Sequence, residues 1–239
     1  MDIPRTVTAA LDDRPVSGAR CLEAGAGVGN MTGGLLANDA ARVYAVTNER
    51  DHALTTRRRV GSNVTDRLSV IEADLRSIPL SNDSVDLITA HGLCNVLAPP
   101  ALSTIADELT RVAAPNCHLV INDYDPLPSD APIRELFAIE NATAELATGR
   151  PALTFHPAES LRRLFEGWGW QFDRECTLLD PVPWTANHVT AHADRVSSLG
   201  AALPDDMSKP LMAAANRFVT EIGSTSTGRM YSLALCFSD

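Results

Sequence analysis

The stretch Cys21-Leu-Glu-Ala-Gly-Ala-Gly-Val-Gly-Asn30 constrains this chain more than any other. Gly25, Gly27 and Gly29 alternate with single residues, directly after an apolar run and before a helical pattern. Glycine at this spacing lets a ligand approach the backbone closely, so a strand–turn–helix unit carrying a bound molecule is expected. An acid, Glu23, stands just before the glycines. Beside a diphosphate it would repel; beside a cation it would attract. A dinucleotide fingerprint also asks for Gly or Ala where Asn30 stands or, counted from Gly27, where Thr32 stands.

Downstream, short β-like runs alternate with helical ones. Strands are expected over 19–24, 41–47, 67–73, 84–90 and 117–123, with helices over 28–38, 50–60 and 100–113. Apolar strands joined by helices imply parallel βαβ units and a sheet covered on both faces. After residue 124 the rhythm changes. Helices are expected over 131–147 and from Pro157 to Gly167, a sixth strand over 170–179, two helices around 185–201 and 205–222, and a closing strand over 229–237. Nothing divides the chain into two domains, so 1–239 reads as one domain with insertions at about 125–156 and 181–228.

Glu23-x-Gly25-x-Gly27-x-Gly29 resembles the first motif of class I S-adenosylmethionine-dependent methyltransferases. The likeness continues through Glu72-Ala-Asp74-Leu75, through Ser84-Val-Asp86-Leu87-Ile88 and through the helix–turn–strand Arg111-Val112-Ala-Ala-Pro115-Asn-Cys-His-Leu119-Val120-Ile121. It covers residues 19–123. The resemblance implies an α/β, Rossmann-like seven-stranded sheet, mostly parallel with an antiparallel last strand, plus a helical cap from the C-terminal insertions. It implies S-adenosyl-L-methionine as cofactor, with Glu23, Gly25, Ala26, Gly27 and Asn30 around its methionine part and ribose. Asp74 would take a hydrogen bond from the adenine amino group, Leu75 would offer its backbone N–H, and Ala90 would line the methionine side. Relatives end the second strand in an acid that grips the ribose; Thr47 stands there instead, and that role would pass to Asn48 and Glu49 jointly, with a favourable charge at the N-terminus of the next helix as the alternative for Glu49.

Methyl transfer needs alignment of the acceptor with an activated methyl group, exclusion of water and, for a hydroxyl or amine, a base. Ligands of open α/β sheets bind at the carboxyl ends of strands. His91 ends the fourth strand and Tyr124 follows the fifth; these are the catalytic candidates, with a loop-bonded histidine as the alternative for His91. His188 and His192 are four residues apart and share a helix face, which reads as polar lining of a lid or a solvated surface. No third ligand for a metal accompanies them. Phe137, Phe155, His156 and Trp184 are candidate pocket residues or local core. Cys94 reads as a small buried residue.

A net charge of −10 argues against a nucleic-acid substrate, and Arg57-Arg58-Arg59 reads as a solvated helix face. The five cysteines are widely spaced with no C-x-x-C pair, which suits reduced thiols and a cytoplasmic protein. No stretch approaches the length of about 18 apolar residues needed to span a bilayer. The sequence thus points to a methyltransferase with a small-molecule acceptor and no membrane or nucleic-acid partner. The competing readings are a nicotinamide-dependent Rossmann oxidoreductase, a methyltransferase of protein or RNA, and a binding module that keeps the fold without catalysis.

Overall fold

The computed structural model describes residues 2–60 and 66–238. A short helix α1 (Arg5–Leu11) precedes β1 (Arg20–Ala24), α2 (Asn30–Ala37), β2 (Arg42–Thr47), α3 (Arg50–Val60), β3 (Leu68–Glu72) and β4 (Val85–His91). A 3₁₀ turn at Cys94–Val96 leads into α4 (Pro99–Val112), which is opened by two prolines. Then come β5 (Ala113–Tyr124), α5 (Ile133–Thr148), α6 (Ala158–Glu166) and β6 (Trp170–Leu179). A two-residue strand β7 (Pro183–Trp184), helices α7 (Ala186–Gly200) and α8 (Asp205–Ile222), a second short strand β8 (Thr225–Ser226) and β9 (Met230–Phe237) complete the chain.

The seven long strands form one sheet in the order β3-β2-β1-β4-β5-β9-β6, and β9 runs antiparallel to both its neighbours. This is the expected Rossmann-like sheet with an antiparallel last strand. Side-chain alternation sorts the strands into two layers. Cys21, Val43, Leu87 and Val120 point to the side covered by α1 and α2. Leu22, Ile88, Leu119 and Ile121 point to the side where α4 and α6 supply Leu102, Ile105, Leu109, Leu161 and Phe165. The two largest fully buried side chains satisfy their polar ends: Trp170 Nε1 donates to Thr110 Oγ1 at 2.9 Å, and the Tyr231 hydroxyl donates to the His156 carbonyl at 2.9 Å.

One strand is longer than its apolar run predicts. β5 begins at Ala113 because Ala113 pairs with Val85 before an irregularity in the ladder. Asn116 lies in that irregularity with φ +64°, a conformation asparagine tolerates better than most residues.

The late insertions build a third apolar cluster beyond the sheet. Ile133, Leu136 and Phe137 of α5 meet Val189, Ala193 and Val196 of α7 and Ala215 of α8, with Trp184 and Val182 beside them. This is the helical cap. It is anchored by the β7–β8 ribbon and joined to the sheet through Met230 and Tyr124. Among the described residues, no helix is long and apolar enough to cross a membrane.

Candidate active site

The parallel register brings the strand ends to one edge. Thr47 pairs with Glu72, Ala24 with both Val46 and Ala90, and His91 with Asn122. The segments singled out in the sequence, 23–30, 47–49, 74–75 and 90–91, therefore leave the sheet side by side.

The glycine loop is held from two directions. The N–H groups of Gly25 and Ala26 both donate to the Val46 carbonyl, at 3.0 and 2.9 Å. From the other side α3 clasps the loop: Thr56 Oγ1 donates to the Gly27 carbonyl at 3.1 Å, and Arg59 donates to the Val28 carbonyl at 2.8 Å and to Asn30 Oδ1 at 3.1 Å. Arg57 donates to the Val70 carbonyl at 2.8 Å. Two of the three arginines expected on a solvated face thus fasten backbone.

The three glycines have different reasons. Each has a positive φ, of +74°, +51° and +83° for Gly25, Gly27 and Gly29. A Cβ on Gly25 would come within 2.8 Å of Leu93 Cδ1, and one on Gly29 within 3.0 Å of Thr56. A Cβ on Gly27 would meet nothing nearer than the Gly25 carbonyl at 4.0 Å. Gly25 and Gly29 are thus packed by protein, and Gly27 alone of the three faces open space.

Glu23 lies beneath this loop, 2% exposed, with the Thr32 hydroxyl against its carboxylate. Burial pushes its carboxyl up to about 8, against the opposing pull of the Thr32 hydrogen bond. The acid that the sequence reading sets beside a cation is a buried group, protonated over most of the neutral range. Asn48 and Glu49 are exposed at the start of α3, where the Glu49 N–H donates to Thr47 Oγ1 at 3.2 Å. Asp74 is exposed and grips Arg76 at 2.5 Å, and these hydrogen bonds hold its carboxyl down near 2. Leu75 and Ala90 are buried beside it and in β4 respectively, and Ala26 is buried within the loop.

The two catalytic candidates are placed differently. His91 is partly buried, and the Asn122 amide donates to its Nδ1 at 3.1 Å, which leaves the ring proton on Nε2. Burial also pulls its pKa down to about 4. His91 is therefore a neutral hydrogen-bond donor and a weak proton acceptor near neutral pH, not the base expected from its position. Tyr124 turns instead into the cap. Its ring lies 5.5 Å from that of Trp184 and 6.4 Å from that of Phe155, and burial raises its hydroxyl pKa.

There the sheet edge and cap enclose a chamber of about 340 Å³. Asn95 and Val96 of the turn after β4 lie on one side of it, Phe137, Phe155 and Trp184 line its walls, and His188 and His192 of α7 join Asn95 and Tyr124 as its polar side chains. Of the expected pocket residues, His156 is absent from this lining; its carbonyl serves Tyr231 instead. The floor is fixed by Asp123, whose buried carboxylate accepts from the N–H groups of Asn95 at 3.1 Å and Tyr124 at 2.8 Å. Burial raises Asp123 to about 6 despite these bonds. Cys94 is buried, as its surroundings predict.

Sequence reasoning did not find the Thr56 and Arg59 clasp, the Arg76 partner of Asp74, or Asn122 beneath His91. A faint signal existed for the clasp alone, since Thr56 and Arg59 are three apart on one helix face.

Residues 21–116 match the family model of the methyltransferase domain. No curated protein matches the sequence. Among solved structures, the cyclopropane synthase of Mycobacterium tuberculosis superposes with a TM-score of 0.64 at 16% identity, over 96% of this chain and 82% of that one. The geranyl diphosphate C-methyltransferase of Streptomyces coelicolor, solved with S-adenosyl-L-homocysteine, gives 0.61 at 14% identity over 96% and 76%. A SAM-dependent methyltransferase of Aquifex aeolicus gives 0.59 at 15% over 97% and 89%. These likenesses show the fold.

Proposed function

The chain carries the methyltransferase domain and the fold of the class I S-adenosylmethionine-dependent enzymes, and we propose that it methylates a small molecule held in the chamber between sheet edge and cap. It is accordingly an enzyme whose methyl donor is S-adenosylmethionine. The observation that carries the acceptor reading is the chamber itself. It lies at the carboxyl ends of β4 and β5, and the turn that forms one side of it also sends Leu93 against Gly25 of the cofactor loop. Its volume is near the lower end of small-molecule sites, roughly 300 Å³ upward. The neighbour that holds geranyl diphosphate is, by its name, a methyltransferase of a small molecule.

The residues present fit the cofactor. Gly27 leaves open space where any Cβ would intrude, and Asp74, Asn48 and Glu49 stand exposed along the same edge. Gly27 and Ala26 would hold the methionine part, Asn48 and Glu49 the ribose, and Asp74 with the Leu75 N–H the adenine. The cofactor supplies a methyl group already activated on sulfur. The chain's task is to align the acceptor and keep water out. His91 contributes a donor from Nε2 on the methionine side. Glu23 acts on the loop from below rather than on the ligand. Five free thiols and an acidic surface favour a cytoplasmic protein with no nucleic-acid partner.

The test is Gly27→Val. At φ +51° a β-branched residue is strained, and its side chain fills the open space. Calorimetry should show S-adenosylmethionine binding lost while circular dichroism shows the fold retained. A variant that binds as tightly as the wild type places the cofactor elsewhere.

A further inference from the structure

We propose that His192, oriented by Glu140, is the proton-accepting base of this enzyme and that the acceptor it serves is a flat, largely apolar phenol; this rests on the chamber being the acceptor site. Glu140 sits on α5, 3% exposed, inside the apolar cluster of the cap. A carboxylate there is costly unless paired. Its partner among the described residues is His192 of α7, with Nδ1 2.6 Å from Oε2. A carboxylate only accepts, so a neutral His192 carries its proton on Nδ1 against Glu140 and presents the lone pair of Nε2. The ring is held edge-on to Phe137 at 4.5 Å, lies 6.3 Å from the Trp184 ring, and forms part of the chamber lining.

Nothing else in the chamber does this work as well. Tyr124 keeps its proton, because burial raises its pKa, and His188 has its Nδ1 turned to the Thr185 N–H at 3.3 Å as part of the cap of α7. Of the charged groups of the neighbouring helix α8, Lys209 pairs with Asp205 and Arg217 with Glu221 on its surface, and Asp206 is exposed in its first turn.

The lining also selects the acceptor. The rings of Tyr124, Phe137, Phe155 and Trp184 favour a planar apolar body. No arginine or lysine is among the lining residues, so nothing there compensates a phosphate or carboxylate. A phenolic hydroxyl suits the single free nitrogen. Its oxygen attacks the methyl carbon, and the O–CH₃ bond forms as the S–CH₃ bond breaks. The electron pair of the broken bond stays on sulfur, which becomes a neutral thioether. The phenolic proton passes to Nε2 of His192 and from there to water. Glu140 stabilises the imidazolium so formed and acts as a positioning residue.

The experiment uses the full chain with S-adenosylhomocysteine and 4-nitrophenol, whose phenolate form absorbs visibly. Binding is followed by quenching of Trp184 fluorescence, and ionisation of the bound probe by absorbance against pH. The wild type should lower the ionisation midpoint of the bound probe by about one to three pH units, the range for a charge partner in contact. His192→Gln should still bind the probe but ionise it at or above its free-solution midpoint, because burial disfavours the phenolate, and Glu140→Gln should give a smaller shift. Equal midpoints in wild type and His192→Gln would overturn the assignment of the base. Failure of the wild type to bind the probe, with S-adenosylhomocysteine still bound by calorimetry, would overturn the acceptor class. Failure to bind S-adenosylhomocysteine would instead take down the methyltransferase reading on which both stand.

Discussion

Thr56 of α3 donates its hydroxyl to the carbonyl of Gly27, 3.1 Å away, across 29 residues of sequence. The bond fixes the one glycine of the loop that faces open space, so the shape of the glycine loop, the proposed cofactor site, depends on a helix that follows the next strand. Thr56→Val keeps the volume and removes the bond. A single hydrogen bond contributes about 1 kcal/mol, so S-adenosylmethionine affinity should fall about fivefold with little change in overall structure. Calorimetry on the two proteins decides this; identical affinities would mean the loop holds its shape without α3.

Glu23 ties pH to stability. Its carboxyl is raised from 4.5 to about 8 by burial, so between those values the folded chain holds a proton that the unfolded chain has released. The stabilisation this gives is complete below 4.5 and is lost as pH rises through 8. Each tenfold difference in proton affinity between folded and unfolded chain is equivalent to about 1.4 kcal/mol. Glu23→Gln has no such proton to lose. Its melting temperature relative to the wild type should therefore climb from pH 5 to pH 8 and level off above. A difference that stays constant over that window would mean Glu23 is ionised in the folded protein.

Asp74 offers a way to separate binding from stability. Its ion pair with Arg76 is exposed to water on both sides, so Asp74→Ala should leave the melting temperature nearly unchanged. In the proposed site Asp74 accepts from the adenine amino group, so the same substitution should weaken S-adenosylmethionine about tenfold or more. Equal binding by the variant would leave Asp74 as a surface residue that only caps its own turn.

Much of the architecture was legible because local chemistry and global fold agree here. The apolar runs 84–90 and 229–237 carry no competing signal and became β4 and β9 within a residue. Gly167 lies at the end of α6, as the sequence pattern implies. The strand-end segments that the methyltransferase likeness picked out do share one edge. What could not be read were pairings set by packing. His188 and His192 share one helix face in the sequence, and Glu140 lies within the helix expected over 131–147, but 52 residues separate His192 from Glu140. Only the docking of α7 on α5 brings them together. Glu23 misled for a related reason: its position before the glycines is plain, but its direction, down onto Thr32, depends on how α2 packs. His91 was placed at the correct strand end, and the Asn122 amide that sets its tautomer lies on the neighbouring strand.

Trp184 connects the cap to the chamber. Its ring is 5.5 Å from that of Tyr124 and 5.3 Å from that of Phe137, and its Nε1 donates to the Thr227 carbonyl at 3.0 Å, which locks the indole as a chamber wall. Trp184→Leu keeps an apolar residue there but removes the flat surface and the aromatic pairs, each of which contributes about 0.5–1.5 kcal/mol beyond simple burial. The hydrogen bonds that hold the glycine loop come from Val46, Thr56 and Arg59, all remote from the cap, so S-adenosylmethionine should bind the variant as it binds the wild type. A flat apolar probe such as 2-naphthol, followed by its own fluorescence, should bind about tenfold more weakly, and circular dichroism should confirm that the variant is folded at the temperature used. If the probe binds unchanged, the acceptor enters by another route. If cofactor and probe weaken together, the cap forms part of the cofactor site, and the division of labour between sheet edge and cap does not hold.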